Sequence, residues 1–365
     1  MRSRTALATA LVVAALTAGC ASTTGVGYYW QSVKGHMGMM ASARHVNDWL
    51  TDPATPEALR ERLALAQRIR AFAVSDVGLP DNPSYHRYAD LQRRAAVYNV
   101  VAAPALSLTL ETWCFPVAGC VGYRGYFAEA DARAFADSLD PQLEVAVYPV
   151  QAYSTLGWMN WAGGDPLLNT FITYPEGELA RIVFHELSHQ VVYVQNDTAF
   201  NESFATTVER LGGARWLTRS SEQARADYAT FDNRRRAFRA LTRTTRERLK
   251  AIYEDVELQD STKLQRKAVA MDDFRQQYAA LKTSWNGYAG YDPFVTRANN
   301  ASFAAQAAYD EWVPAFEALF EREGRDFARF YDAVRALAGR PKEERHAALR
   351  ELAPTAMAVS DAIRP

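Results

Sequence analysis

The sequence predicts a predominantly helical α+β protein with a small sheet near its middle. Three observations carry this expectation. From Glu176 onward nearly every segment has helical patterning, including a long charged stretch from about Ser221 to Tyr253. Leu143 to Tyr153 instead alternates, with Val145, Val147 and Val150 interleaved by Glu144, Ala146 and Gln151, the period of a half-buried strand. No Pro-, Gly- or Ser-rich linker divides the chain, so one unit is expected.

Taken in order, Gly25 to about Leu50 is expected to be helical, although Tyr28, Tyr29, Trp30, Met37, Met39 and Met40 crowd it with aromatic and thioether side chains. Pro56 opens a second helix whose Leu59, Leu63, Leu65, Ile69 and Phe72 recur at roughly helical spacing. Gly78 to Pro83 is a loop by its turn residues. Val97 to Leu110, rich in Val, Leu and Ala, is expected to contain a strand.

The chain of 365 residues carries 41 Lys and Arg against 42 Asp and Glu, a formal net charge of −1. A nucleic-acid partner is not expected, because such binding needs an excess of basic residues to displace counterions from phosphate. The stretch holding Arg234, Arg235, Arg236, Arg239, Arg243, Arg246, Arg248 and Lys250 is the one basic concentration; it reads as a solvated helix face paired with acids elsewhere rather than a lipid-headgroup site.

Residues 1–19 read as an export signal. Arg2 and Arg4 precede an apolar run from Thr5 to Ala18, too short to span a bilayer as a helix. Leu16-Thr17-Ala18-Gly19-Cys20 resembles the lipobox of bacterial lipoproteins. The resemblance implies that Cys20 is lipidated and anchors residues 20–365 to a membrane. Ala21 after the Cys, where Asp would retain the protein, implies an outer membrane facing the periplasm. Export to an oxidising compartment favours a disulfide between Cys114 and Cys120, which flank a Pro- and Gly-containing reversal, over two buried thiols.

His185-Glu186-Leu187-Ser188-His189 is an H-E-x-x-H. Positions four apart share a helical face, so both imidazoles can reach one metal ion while Glu186 acts on its water. Ile182, Val183, Phe184, Leu187, Val191 and Val192 make the surrounding helix apolar on several sides. Two His and a Glu inside such a helix would be costly without partners, and a divalent cation supplies them.

Twelve residues after His189 begins Asn201-Glu202-Ser203-Phe204-Ala205-Thr206-Thr207-Val208-Glu209. It resembles the second zinc-binding helix of gluzincin metallopeptidases, above all the N-E-G-F-A-S-Y-V-E stretch of the aminopeptidase N family. The resemblance implies a zincin-like core with an N-terminal helical segment, one Zn²⁺ held by His185, His189 and Glu202, and Glu209 supporting a ligating His from behind. The connection is shorter than in aminopeptidase N or thermolysin, so a tight turn is expected at Asn196-Asp197-Thr198. Phe115 to Phe127, Ala152 to Trp158, Phe200-Asn201-Glu202, Asn299-Asn300-Ala301 and Tyr309 together resemble the bacterial envelope lipoproteins known as predicted aminopeptidases.

The activity so implied is hydrolysis of peptide substrates, as an aminopeptidase, with Glu186 as general base on a metal-activated water. Two other readings share the motif: a lipid-anchored endopeptidase, and a zinc-fold binding or assembly factor without turnover. Gly157-Trp158-Met159-Asn160 lacks the Glu that binds a free N-terminus in aminopeptidase N, so Asp165 or another acid would have to serve. Ala152 to Trp158 is the candidate substrate-binding edge strand. Tyr288, Tyr291, Arg297 and Tyr309 lie in the region from which a transition-state donor could come.

Overall fold

The computed structural model describes residues 23–115, 119–307 and 309–362. The expected signal segment, Cys20 and residues 116–118 of the bridged loop lie outside them. The chain begins with α1 (Thr23–Ser42), β1 (Arg44–His45), α2 (Val46–Thr51) and α3 (Glu57–Ser75). Pro56 is the N-cap of α3, and its φ of −55° suits entry into the helix. The helix expected from Gly25 to Leu50 is therefore broken once, where Arg44 and His45 pair with a strand.

The β-rich middle follows: β2 (Arg87–Ala89), β3 (Val97–Pro104), β4 (Trp113–Phe115), β5 (Gly119–Val121), β6 (Arg124–Tyr126), α4 (Glu129–Asp137), β7 (Leu143–Val150) and β8 (Leu167–Leu168). Among the described residues there are three small sheets instead of one, in the orders β6-β3-β7, β1-β2-β8 and β4-β5. Their extra strands are too short to show a period of two in the sequence. β3 and β7 pair antiparallel along their whole length, from Val97 opposite Val150 to Pro104 opposite Leu143. Among the described residues no strand borders the other edge of β7.

The rest is helical: α5 (Glu176–Ser188), α6 (Thr198–Leu217), α7 (Glu222–Glu254), α8 (Asp260–Ser284), α9 (Asp292–Arg297), α10 (Asn300–Ala307), α11 (Val313–Arg322), α12 (Phe327–Ala338) and α13 (Lys342–Ala362). The main core joins α3, α5, α6, α11 and α12 through Phe72, Phe184, Phe200, Phe204, Phe316 and Phe330, all buried. Each such side chain contributes about 1.5–3 kcal/mol of burial free energy, so these aromatics fix how α5 and α6 meet. A second cluster, with Phe238, Leu249, Phe274 and Phe303, holds α7 and α8 against α9 and α10.

The basic stretch on α7 is largely neutralised. Arg235 donates to Glu178 at 2.6 Å, Arg239 to Asp310 at 2.7 Å and Arg248 to Asp273 at 2.5 Å. Arg234 lies over the Tyr288 ring at 4.4 Å. Two of these ties also pin α7 to α5 and to the segment after α10.

Candidate metal centre and active site

α5 carries the first four residues of the H-E-x-x-H and ends one residue short of the second His. His189 is its C-cap, with φ −60° and ψ −19°. The last turn tightens: Ser188 Oγ donates to the His185 carbonyl at 2.6 Å, and Gln190 N–H to the Leu187 carbonyl at 3.1 Å. Because His189 keeps helical dihedrals, the two imidazoles still stand one turn apart on the same face.

The turn between α5 and α6 is built from three polar residues. Asn196 is left-handed at φ 64°, a conformation Asn tolerates. Asp197 caps α6, its Oδ1 accepting from Phe200 N–H at 3.3 Å. Its Oδ2 accepts from Arg345 Nη2 at 2.8 Å and from His346 Nε2 at 2.8 Å, tying the turn to α13. Asn201 clamps the connection by donating to the Val194 carbonyl at 2.7 Å and accepting from Val194 N–H at 2.8 Å. Cys114 and Cys120 are bridged across the β4–β5 hairpin, and Cys120 N–H donates to Asn196 Oδ1 at 2.7 Å.

With the turn so set, α6 brings Glu202 to α5. Its Oε2 lies 3.3 Å from His185 Nε2 and 3.9 Å from His189 Nε2, and the two Nε2 atoms are 3.3 Å apart. These three residues form the one group among the described residues whose donor atoms converge as a metal site requires. Glu209, two turns further along α6, accepts from His185 Nδ1 at 3.1 Å. A carboxylate only accepts, so Nδ1 carries a proton, and Nε2 is the ring nitrogen turned toward Glu202 and His189.

Behind Glu209 lies Arg181, one turn before His185 on α5, buried and hydrogen-bonded to the Glu209 carboxylate. Burial pushes Glu209 up, but the Arg181 charge and the His185 hydrogen bond hold it far below the usual carboxylate range. Burial also dominates the free imidazole of His189, pulling it down to about 4 and keeping it neutral. Its Nδ1 is buried without a protein partner. For His185 burial acts downward too, but Glu202, Glu209 and Glu186 outweigh it and raise the group well above its ordinary value. Burial raises Glu186 to about 7, within reach of proton exchange near neutrality. Three carboxylates thus surround the two imidazoles against a single arginine, and a site of this donor set and field is suited to a divalent cation.

Tyrosines ring the cluster. Tyr309 stacks on His185, ring centroids 6.2 Å apart and 26° between planes, and Tyr193 meets His189 edge-on at 6.5 Å. The Glu202 charge, then burial, hold the Tyr309 phenol well above its usual value. Burial and then Glu202 do the same to Tyr123 and raise Tyr193 to about 12. All three stay protonated at neutral pH and can donate.

Of the four downstream candidates, Tyr309 alone meets a cluster histidine. Tyr291 stacks on Phe238 at 4.1 Å against the second core, and Tyr288 lies under Arg234. Arg297 lines a cavity of about 900 Å³ bounded by Val145, Val147, Tyr148, Gln306 and Tyr309.

Ala152 to Trp158 is not a strand, contrary to expectation. Leu156 and Gly157 are left-handed, at φ 56° and 80°, and Thr155 N–H is taken by the Asp165 carboxylate at 3.0 Å. Of the strands that line the cavity reaching Tyr309, β7 is the one at a sheet edge among the described residues. Asp165 itself is 1% exposed, its carboxylate occupied by Ser154 and Thr155, so it is closed to a substrate amine. Sequence reasoning missed Arg181, Asn201 and Tyr123 as parts of the site. Arg181 had a signal: a lone arginine one turn before His185 in an apolar helix.

Fold and cluster together define the class: a mainly helical α+β protein whose two crossed helices assemble two histidines and a glutamate. The chain belongs to the family described as Putative aminopeptidase, whose family model matches residues 27–349, and this membership supports a peptidase role. No curated protein and no solved structure matches it significantly.

Proposed function

We propose that the protein is a zinc-dependent peptidase of gluzincin type, lipid-anchored through Cys20 in the cell envelope, at the outer membrane facing the periplasm. The observation that carries the reading is the triangle of His185 Nε2, His189 Nε2 and Glu202 Oε2, with sides of 3.3, 3.3 and 3.9 Å. Ligands about 2.1 Å from a tetrahedral zinc lie about 3.4 Å from one another, so the spacing suits one ion with a fourth position left for water or substrate.

When bound, zinc acidifies a water and polarises the scissile carbonyl. Glu186 takes the proton of the attacking water and delivers it to the leaving amine. Glu209, charged through Arg181, keeps the His185 lone pair directed at the ion. Tyr309 is the donor best placed to stabilise the developing oxyanion. Past Val145, whose carbonyl accepts from Asn299 at 2.9 Å, the strand-free edge of β7 beside the cavity that Tyr309 helps to line would give an extended peptide backbone partners.

Burial of Asp165 favours a second reading of the substrate, an endopeptidase that needs no acid for a free amine. Comparing hydrolysis of one peptide with a free and an acetylated N-terminus separates the two. The test of the enzyme itself is metal analysis with a peptide-library digest of the wild type and Glu186→Gln. Stoichiometric zinc in both, with cleavage by the wild type only, supports it; zinc without cleavage by either leaves a binding or assembly factor.

A further inference from the structure

α1 is seated by one face only. Tyr28 meets Tyr126 edge-on at 5.5 Å and lies under Arg124 at 4.2 Å. Gln31 Oε1 accepts from Phe127 N–H at 3.2 Å, and Met39 is buried. Gly35 lies so close to Phe127 that a Cβ would fall 2.1 Å from its Cγ.

Among the described residues the opposite face is uncovered and still apolar. Trp30 is 69% exposed, Met37 64%, Val33 51% and Tyr29 46%. At about 100° per residue these four fall within an arc of roughly 100°, the geometry of a single stripe. Lys34 is the one fully charged side chain in α1, and no acid lies in it. A surface helix normally turns a charged face to water; this one turns a Trp, a Met and a Val.

We propose that this stripe lies on the lipid surface, with Trp30, Val33 and Met37 in the boundary between headgroups and acyl chains and Lys34 among the headgroups. The proposal rests on the reading of Cys20 as the lipid attachment point. α1 begins at Thr23, three residues after Cys20, so the acyl chains would hold its N-terminal end against the bilayer. Trp favours that interfacial depth, and the buried apolar area of the stripe adds to the hold of the acyl chains. The neighbouring loop adds exposed indoles, Trp161 at 83% and Trp158 at 64%. It is joined to the end of α1 through Arg87, which donates to the Ala43 carbonyl at 2.5 Å and packs on Gly163.

The test uses the full chain, processed in a Gram-negative host and reconstituted in phosphatidylethanolamine–phosphatidylglycerol vesicles. Trp30→Cys, Val33→Cys and Met37→Cys each receive an environment-sensitive fluorophore, with Val256→Cys, in the turn between α7 and α8, and Val269→Cys, on α8, both exposed, as controls. The expected result is blue-shifted emission and about two-fold or greater quenching by brominated lipid at 30, 33 and 37, and neither at 256 or 269. Labels at 33 and 37 as wet as that at 256 overturn the proposal. So does a blue shift that brominated lipid leaves untouched and that tracks dimer formation in sedimentation, since the stripe would then meet a second copy. The mass of the N-terminal peptide reads the anchor separately. If Cys20 carries no acyl chains, the anchor reading fails, and the same labels with vesicles added to the secreted chain decide the stripe.

Discussion

Glu209 accepts the Nδ1 proton of His185 at 3.1 Å while its other oxygen carries Arg181. One carboxylate thereby fixes the tautomer of a candidate ligand and is itself held charged by a buried arginine. Removing it should weaken metal binding without touching a ligand. Glu209→Ala is expected to lower zinc affinity by about 10–100-fold, measured by chelator competition, and Glu209→Gln, which still offers an accepting oxygen, by less.

Ligand and base should separate cleanly. Glu202→Ala removes one corner of the triangle and is expected to abolish stoichiometric zinc. Glu186→Gln should retain zinc and lower kcat by at least about 10²-fold. Metal content by elemental analysis, beside peptide turnover, reads both; full activity in Glu186→Gln would remove the proposed base.

The ion should also stabilise the fold that forms its site, because binding to the native state alone shifts unfolding by mass action. Chelation is expected to lower the thermal midpoint, and added zinc to restore it. Differential scanning fluorimetry checks this, and a midpoint indifferent to zinc would count against the site.

Asp197 and Arg345 are both almost wholly buried and pair at 2.8 Å, between the turn that aims α6 and the start of α13. Arg345→Ala leaves the buried Asp197 only His346 and the Phe200 N–H as partners, so it should cost about 3 kcal/mol in urea unfolding, the lower end for a broken buried pair. A loss below about 1 kcal/mol would mean that the turn does not depend on α13.

Gly35→Ala places a methyl inside the Phe127 ring. The expected outcome is release of α1, seen as lost amide protection over residues 27–42 in hydrogen exchange, with α5 and α6 unchanged. Unaltered protection would show that α1 is not held by this contact.

Much of this was legible beforehand because it is local. A His four residues from another on an apolar helix must share its face, and an Asn-Asp pair after a helical run announces a turn and a cap. The short strands were not legible, since two or three residues cannot display a period. Ala152 to Trp158 misled because its apolar residues suggest a strand, while the left-handed backbone at Leu156 and Gly157 and the reach of Asp165 to Thr155 are set by distant contacts.

By itself the sequence determined the mainly helical character, the His185–His189 spacing, and Glu202 and Glu209 seven residues apart on one helix face, all consequences of helical repeat. Only the tertiary structure decided that α6 crosses α5 with Glu202 facing both imidazoles. It also decided that Arg181 lies behind Glu209, that Tyr309 rather than Tyr288 or Tyr291 reaches His185, and that one face of α1 remains bare. The helix crossing depends on how packed aromatics and a buried Asp197–Arg345 pair set the angle between α5 and α6, and the others on contacts between segments far apart in sequence, neither of which a local pattern encodes.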